Sequence, residues 1–285
     1  MQKFYGGQKM QILAFSDLHG NAATLKLLKE SIEDESYDYT LIAGDLTNAD
    51  LISPTKTVQQ VKEIFSILES FKFPYYYVWG TPFREGTLAS ALQLVEKQQD
   101  YEVSEHEGKI FLKKKMSNHI EEIIEISKRG WHLCKEVERF LSSLKFGKHL
   151  KNEEPVKIGK YWLTANPKKV PKNAIFLKHH YRKIIPRALI QLDGHLHFGQ
   201  HVLNYLNLGF LYRDESHGAS PMIGCYWKLT LKDSTVSVEF VNLGRKLKGF
   251  KCPDHPKEGT FYIPFYWKSC PICFNSKEAI IKGER

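Results

Sequence analysis

Apolar and polar positions alternate between two periods along the first 80 residues. The run QILAF (11–15) is apolar and is closed by the polar SDLHGN. NAATLKLLKESIEDE then spaces its apolar residues three and four apart, so the pattern predicts a strand, a polar turn and a helix. The order repeats: YTLIAGDLTN reads as a strand ending in Gly-Asp, VQQVKEIFSILESF as a helix, and FPYYYVWG as a third strand. Alternating strands and helices imply crossover connections and a mainly parallel α/β sheet, with chemistry gathered in the loops beyond the C-terminal strand ends. From about 85 to 151 the text predicts a helical elaboration, in TLASALQLVEKQQ and SNHIEEIIEISKRGWHLCKEVERFLSSL, with the short apolar KIFLKK between. Strand-like text resumes in VKIGKYWLTAN, NAIFLKHH and ALIQLDGHLHFG, followed by a group with turn residues between that reads as antiparallel. The main domain is expected to span 1–243, and the basic, glycine-containing GRKLKGFK leads into a cysteine-bearing tail at 244–285.

Composition narrows the class. Hydrophobic content of 42% and charged content of 26% over 285 residues suit a globular protein. No run approaches the roughly 18 uninterrupted apolar residues of a spanning helix, and the start lacks the apolar core of a secretory signal. The expectation is a cytoplasmic protein with no membrane partner. A net charge of +9 favours anionic partners: a phosphorylated small molecule, a nucleotide or nucleic acid. Of five cysteines, three cluster near the C-terminus beside a histidine, which points to metal rather than disulfides. Cys134 and Cys225 stand among apolar residues and read as buried, inert thiols.

Four strand ends carry acidic or histidine residues: Asp17 with His19, Asp45, His179 with His180, and His195 with His197. Residues two apart in extended chain point the same way, so each spaced pair can face one point. Mixed carboxylate and imidazole ligation suits manganese, iron or zinc. Any one of these residues alone is more often a cap or a surface histidine than a ligand. Their joint occurrence at successive strand ends is what carries the reading.

Asp17-Leu18-His19-Gly20-Asn21, Gly44-Asp45 and Gly194-His195-Leu196-His197 resemble, in order, the motifs of the calcineurin-like metallophosphoesterases. The resemblance runs from about 10 to 243. It implies a four-layer sandwich of mixed β-sheets flanked by helices, and a phosphoesterase acting through two divalent ions. It further implies that Asp17, His19, Asp45 and His197 hold one ion, with Asp45 bridging to a second held by His179 and His195. The chain departs from the pattern at the third motif, where Gly80-Thr81-Pro82-Phe83 replaces Gly-Asn-His. Thr81 offers only a hydroxyl as a weak second-ion ligand, and Pro82 cannot supply the acid of the missing histidine. General acid catalysis is typically worth about 10²–10⁴-fold, so a substitute is expected, with His180, Arg84, His201 and His217 as candidates and His180 placed with Asp45 in the catalytic set. The alternative is a catalytically degenerate scaffold or nucleic-acid-binding protein.

In the tail, Cys252-Pro-Asp-His255 and Cys270-Pro-Ile-Cys273 form two ligand pairs with the two-residue spacing of a tetrahedral zinc site. The aromatic stretch between them suits a hairpin. The tail thus reads as a zinc ribbon around one structural zinc, with a docking or structural role for a protein partner or nucleic acid.

Overall fold

The computed structural model describes residues 9–49, 51–81, 84–85, 101–107, 109–115, 121–181, 183–215 and 220–274. The chain opens with β1 (Met10–Phe15), α1 (Ala22–Ser31), β2 (Tyr39–Ile42), α2 (Pro54–Glu69) and β3 (Tyr75–Tyr77). Next come β4 (Tyr101–His106), β5 (Lys109–Lys115), β6 (Glu121–Ser127), α3 (Lys128–Ser142) and β7 (Gly147–His149). Strands β8 (Val156–Ile158), β9 (Tyr161–Thr164), β10 (Ile175–Leu177), β11 (Ile190–Asp193), β12 (Gly199–Val202) and β13 (Tyr205–Leu208) follow. The chain continues through β14 (Tyr212–Arg213), β15 (Met222–Ile223), β16 (Tyr226–Lys232), β17 (Thr235–Val241), β18 (Leu247–Phe250), β19 (Thr260–Pro264) and α4 (Pro271–Phe274).

Two mixed sheets dominate. One has the order β17-β16-β1-β2-β3-β7, and the other β18-β19-β12-β13-β11-β10-β9-β8. The side-chain period of two in β1 explains how they stack. Ile12 and Ala14 enter a core between the sheets with Leu41, Ile175, Leu192 and Leu208. Leu13 and Phe15 face the other way and pack with Leu25, Leu28, Ile64 and Phe65 of α1 and α2. Buried area of this kind stabilises at roughly 25 cal/mol per Å². On the far side of the second sheet, Phe176 packs with Val170, Ala174 and Ala188, so connecting segments cover that face. Gln191 holds them there, accepting from Ile185 N at 3.0 Å and donating to Tyr181 O at 3.3 Å.

Capping follows the sequence. Asn21 accepts from Thr24 N at 2.9 Å, and Ser53 precedes a proline that opens α2. Among the described residues, no helix is long and apolar enough to cross a membrane.

The elaboration differs from the sequence expectation. Tyr101–His106, Lys109–Lys115 and Glu121–Ser127 form three antiparallel strands, β4-β5-β6, and only Lys128–Ser142 is helical within the described part of 85–151. The run Glu-Glu-Ile-Ile-Glu-Ile satisfies either period over so short a length, and its β-branched isoleucines favour a strand once β5 is available to pair. TLASALQLVEKQQ lies outside the described residues. The 243/244 boundary falls in the turn between β17 and β18, and the hairpin beyond it pairs through β19 with β12 of the second sheet.

Candidate metal centre

The six acidic and histidine candidate ligands ahead of the tail lie just beyond the C-terminal ends of parallel strands: Asp17 and His19 after β1, Asp45 after β2, His179 after β10, and His195 and His197 after β11. Backbone hydrogen bonds fasten the first two loops together, Asp17 N to Gly44 O at 3.0 Å, Leu18 N to Asp45 O at 2.8 Å and Gly20 N to Leu46 O at 2.9 Å. Asp17, His19, Asp45, His195 and His197 all have positive φ, between 46° and 73°. Non-glycine residues adopt this left-handed conformation at an energetic cost, and such residues concentrate where surrounding structure forces side chains toward a ligand.

The donors converge as two groups that share one carboxylate. Asp17, His19, Asp45 and His197 form one group, and Asp45, His179 and His195 the other, with ligand atoms in each group all within 4.8 Å of one another. In the first, His197 Nε2 lies 3.0 Å from Asp17 Oδ1 and 3.1 Å from His19 Nε2. In the second, His179 Nε2 is 3.4 Å from Asp45 Oδ2. Thr81 Oγ1 joins this group at 3.3 Å from Asp45 Oδ2, 3.2 Å from His179 Nε2 and 3.4 Å from His195 Nδ1. Four nitrogen or oxygen donors around a tetrahedral ion, each about 2.0–2.1 Å away, are separated by about 3.3–3.4 Å. The second group therefore fits an ion, with the threonine hydroxyl standing where a fourth donor belongs.

Surrounding bonds orient the donors. His179 Nδ1 donates to Ala43 O at 2.6 Å, which leaves Nε2 facing the cluster. Asp17 Oδ2 accepts from His195 N at 3.0 Å and from the Ser16 hydroxyl, so Oδ1 is turned toward the histidines. Burial pushes the Asp17 carboxyl up, but the hydrogen bond and charge of His197, with His179 and His19, outweigh it and leave it well below the usual range. Burial pushes the imidazoles of His19 and His195 down to about 4, which leaves them neutral near pH 7, as ligation needs. His179 moves the other way, to about 9, because its bond to Asp45 and the charges of Asp17 and Asp45 overcome burial.

Glycine is required at one point of close approach. A Cβ on Gly80 would lie 2.1 Å from both the backbone nitrogen and Oδ1 of Asp45. Gly80→Ala is expected to push Asp45 out of place and to lower unfolding free energy by about 1–3 kcal/mol, as overpacking typically does, measured by chemical denaturation. A change under a few tenths of a kcal/mol would show that the two loops can separate freely.

The candidate acids separate. His180 packs against the candidate ligand His195, with ring centroids 4.5 Å apart and planes tilted by 53°, which puts its imidazole beside the second group. Arg84 is buried and paired with Asp214 at 3.4 Å, and its charge contributes to depressing His19. A guanidinium does not give up its proton, so Arg84 can hold an anion but cannot serve as the acid. His201 lies in β12, opposite Leu206 and Thr260, on the strand that leads away from His197. His217 and Pro82 lie outside the described residues.

Sequence reasoning missed Glu85. Its carboxylate is 2% exposed and accepts from Leu46 N at 3.0 Å and Gly80 N at 2.9 Å, bracing the loops of Asp45 and Thr81. It also missed Gln60, which donates to Gly20 O at 3.3 Å and Asn48 Oδ1 at 2.8 Å. No spacing signal marks either residue, because the partners that give them a role, Leu46 for Glu85 and Gly20 for Gln60, are distant in sequence.

In the tail, His255 Nδ1 lies 3.5, 3.5 and 3.4 Å from the sulfurs of Cys252, Cys270 and Cys273, and Cys252 Sγ is 3.6 Å from Cys273 Sγ. Zinc bonds of about 2.3 Å to sulfur and 2.0–2.1 Å to nitrogen place tetrahedral donors about 3.5–3.8 Å apart. The four residues fit such an ion.

Residues 10–80 match the family model for calcineurin-like phosphoesterases. The match spans the segment of Asp17, His19 and Asp45 and stops before His179, His195 and His197. No curated protein sequence matches the chain. One solved structure covers 83% of this chain and 100% of its own, with a TM-score of 0.52 at 9% identity, a likeness of fold. A Thermus thermophilus protein aligns over 83% of this chain and 100% of its own, with a TM-score of 0.39 and 16% identity. Yfce, a phosphoesterase from E. coli, aligns over 82% and 100%, with a TM-score of 0.33 and 13% identity.

Proposed function

We propose that the protein is a metal-dependent phosphoesterase acting on a phosphodiester, nucleotide or related phosphate ester, with Asp17, His19, Asp45 and His197 around one ion and Asp45, His179, His195 and Thr81 around a second. The observation that carries this reading is the sharing of Asp45 between two converging donor groups at the C-terminal strand ends. When bound, a pair of divalent ions such as manganese, iron or zinc supplies a water nucleophile of lowered pKa and neutralises phosphate charge.

The chain's own residues supply the rest. Asp17 and Asp45 bring negative charge to a buried site, which selects for cations, while neutral His19 and His195 ligate without competing protons. Arg84, held by Asp214, offers a fixed positive charge to a phosphate oxygen. His180, whose ring lies 4.5 Å from that of His195, is the side chain we assign to pass a proton to the leaving oxygen. With a proline in place of the usual histidine, substrates with good leaving groups, such as nucleotide anhydrides or activated diesters, suit the site best. The test is ion content per chain together with hydrolysis of a chromogenic phosphodiester with added manganese. About three ions per chain and manganese-dependent turnover are expected; one ion and no turnover would leave the metal-binding scaffold that Thr81-Pro82 favours.

Thr81 allows a narrower check. Thr81→Val keeps the shape and deletes Oγ1, so the weaker of two manganese-binding steps, read by electron paramagnetic resonance, is expected to weaken at least about tenfold while the tighter is unchanged. Thr81→Asn, which offers an amide oxygen, is expected to tighten it. Equal affinities in all three proteins would remove Thr81 from the ligand set.

A further inference from the structure

The cysteine knuckle and the phosphoesterase site meet at the Gly-His-x-His loop. Leu196 stands between the two ligand histidines, and Phe198 directly follows the second. Both pack into the small core built by Cys252, Cys270, Phe261 and Ile263. Phe198 and Phe261 have ring centroids 6.0 Å apart. The strand that leaves this loop, β12, is clamped between β13 and β19, with Gly199 opposite Tyr262 and Gln200 opposite Phe261. Gln200 Nε2 also donates to Glu258 O at 2.9 Å, in the turn between the two halves of the knuckle.

The loop needs support of this kind. His195 and His197 have φ of 73° and 52°, a conformation that imidazole residues hold only where neighbouring structure over-determines it. On one side the fastening is His195 N to Asp17 Oδ2. On the other it is the apolar contact of Leu196 and Phe198 with the small core around the cysteine knuckle, which a bound ion would help to order.

We propose that the Cys252, His255, Cys270 and Cys273 knuckle is a positioning device for His195 and His197, so that zinc in the knuckle raises divalent-ion affinity at the phosphoesterase site. The proposal rests on the two-ion reading of that site. It makes the two metal sites thermodynamically coupled, and coupling is reciprocal: ions held by the histidines raise the knuckle's affinity for zinc by the same factor. Orienting groups behind metal ligands typically change affinity by about 10–100-fold, which sets the scale expected here.

The test uses the full chain as wild type, Cys270→Ser and Leu196→Ala, with zinc counted by elemental analysis. Manganese affinity is read by electron paramagnetic resonance, and amide exchange is followed over residues 195–202. Leu196→Ala is expected to keep its zinc and bind manganese at least about tenfold more weakly. Cys270→Ser is expected to lose zinc, bind manganese more weakly still and exchange faster at 195–202. Manganese affinity within twofold of wild type in the zinc-free protein, with unchanged exchange, would overturn the proposal. Leu68→Ala makes the same truncation at a fully buried leucine in the core beneath α2, at least as costly to stability, and controls for general loss of stability. Equal weakening by Leu68→Ala and Leu196→Ala also overturns it. Should wild type bind no manganese, the two-ion reading fails, and the exchange rates alone decide the positioning: faster exchange without zinc upholds it and unchanged exchange refutes it.

Discussion

Asp45→Ala is expected to abolish divalent-ion-dependent phosphoester hydrolysis, by roughly 10³-fold or more, and to lower the ion content of the purified protein by at least one per chain. Asp45 is the one side chain in both donor groups, so its loss removes a ligand from each. Ion catalysis of this class lowers the barrier by several kcal/mol, and about 1.4 kcal/mol corresponds to a factor of ten. His179 is a second reason for a large effect. Its hydrogen bond to Asp45 and the charges of Asp17 and Asp45 lift its pKa to about 9 against burial, so removing Asp45 takes away both its carboxylate partner and part of that lift. The check is initial rate against manganese concentration together with ion counting. Residual turnover within tenfold of wild type at saturating manganese would mean that the chemistry does not pass through the shared carboxylate.

Glu85→Ala should be the most destabilising single change at the site. The Glu85 carboxylate is the acceptor for Leu46 N and Gly80 N and lies 3.3 Å from the Thr47 hydroxyl. A buried donor left without an acceptor costs roughly 1–3 kcal/mol, so losing two is expected to lower unfolding free energy by about 2–5 kcal/mol. Glu85→Gln keeps a carbonyl oxygen for both and should be close to wild type. The two differ in pH dependence. Burial, and then the charge of Asp45, push the Glu85 carboxyl up to about 7 from an unfolded value near 4.5. In ion-free protein the folded chain therefore binds this proton more tightly than the unfolded chain does. Its favourable contribution is complete below about pH 4.5 and is lost as pH rises toward 7. Glu85→Gln has no such proton, so its stability relative to wild type is expected to grow across that window, read by denaturant midpoints in chelator. Parallel curves for the two proteins would show that the carboxyl is already ionised at pH 5.

Much of this site was legible as residue types at strand ends. Asp17, His19, Asp45, His179, His195 and His197 stand out because strands in a parallel sheet deliver their following loops to one edge, so polar residues after apolar runs are gathered by topology alone. Cys252, His255, Cys270 and Cys273 stand out because two-residue spacing lets each pair reach one ion. These features are local, and local features survive in a one-dimensional string.

The tertiary structure decided everything that depends on two distant segments meeting. The strand identity of Glu121–Ser127 was settled by pairing with β5, since its own pattern fits two periods. Thr81 reads as a substitution that weakens the third motif, yet its hydroxyl sits at ligand spacing from three other donors because Gly80 lets β3's loop lie against Asp45. Gln60 gains its role only where folding sets α2 beside the loops of Gly20 and Asn48, and Glu85 only where folding brings its own Gly80-Thr81 loop beside Leu46. The tail spacing defines a zinc ligand set, and only the sheet shows that its core continues into Leu196 and Phe198. Sequence alone determined which donors exist and roughly where along the chain, because strand, turn and spacing signals are short-range. Which donors converge, what braces them and how the two donor clusters touch depend on long-range packing and backbone pairing, which no local pattern encodes.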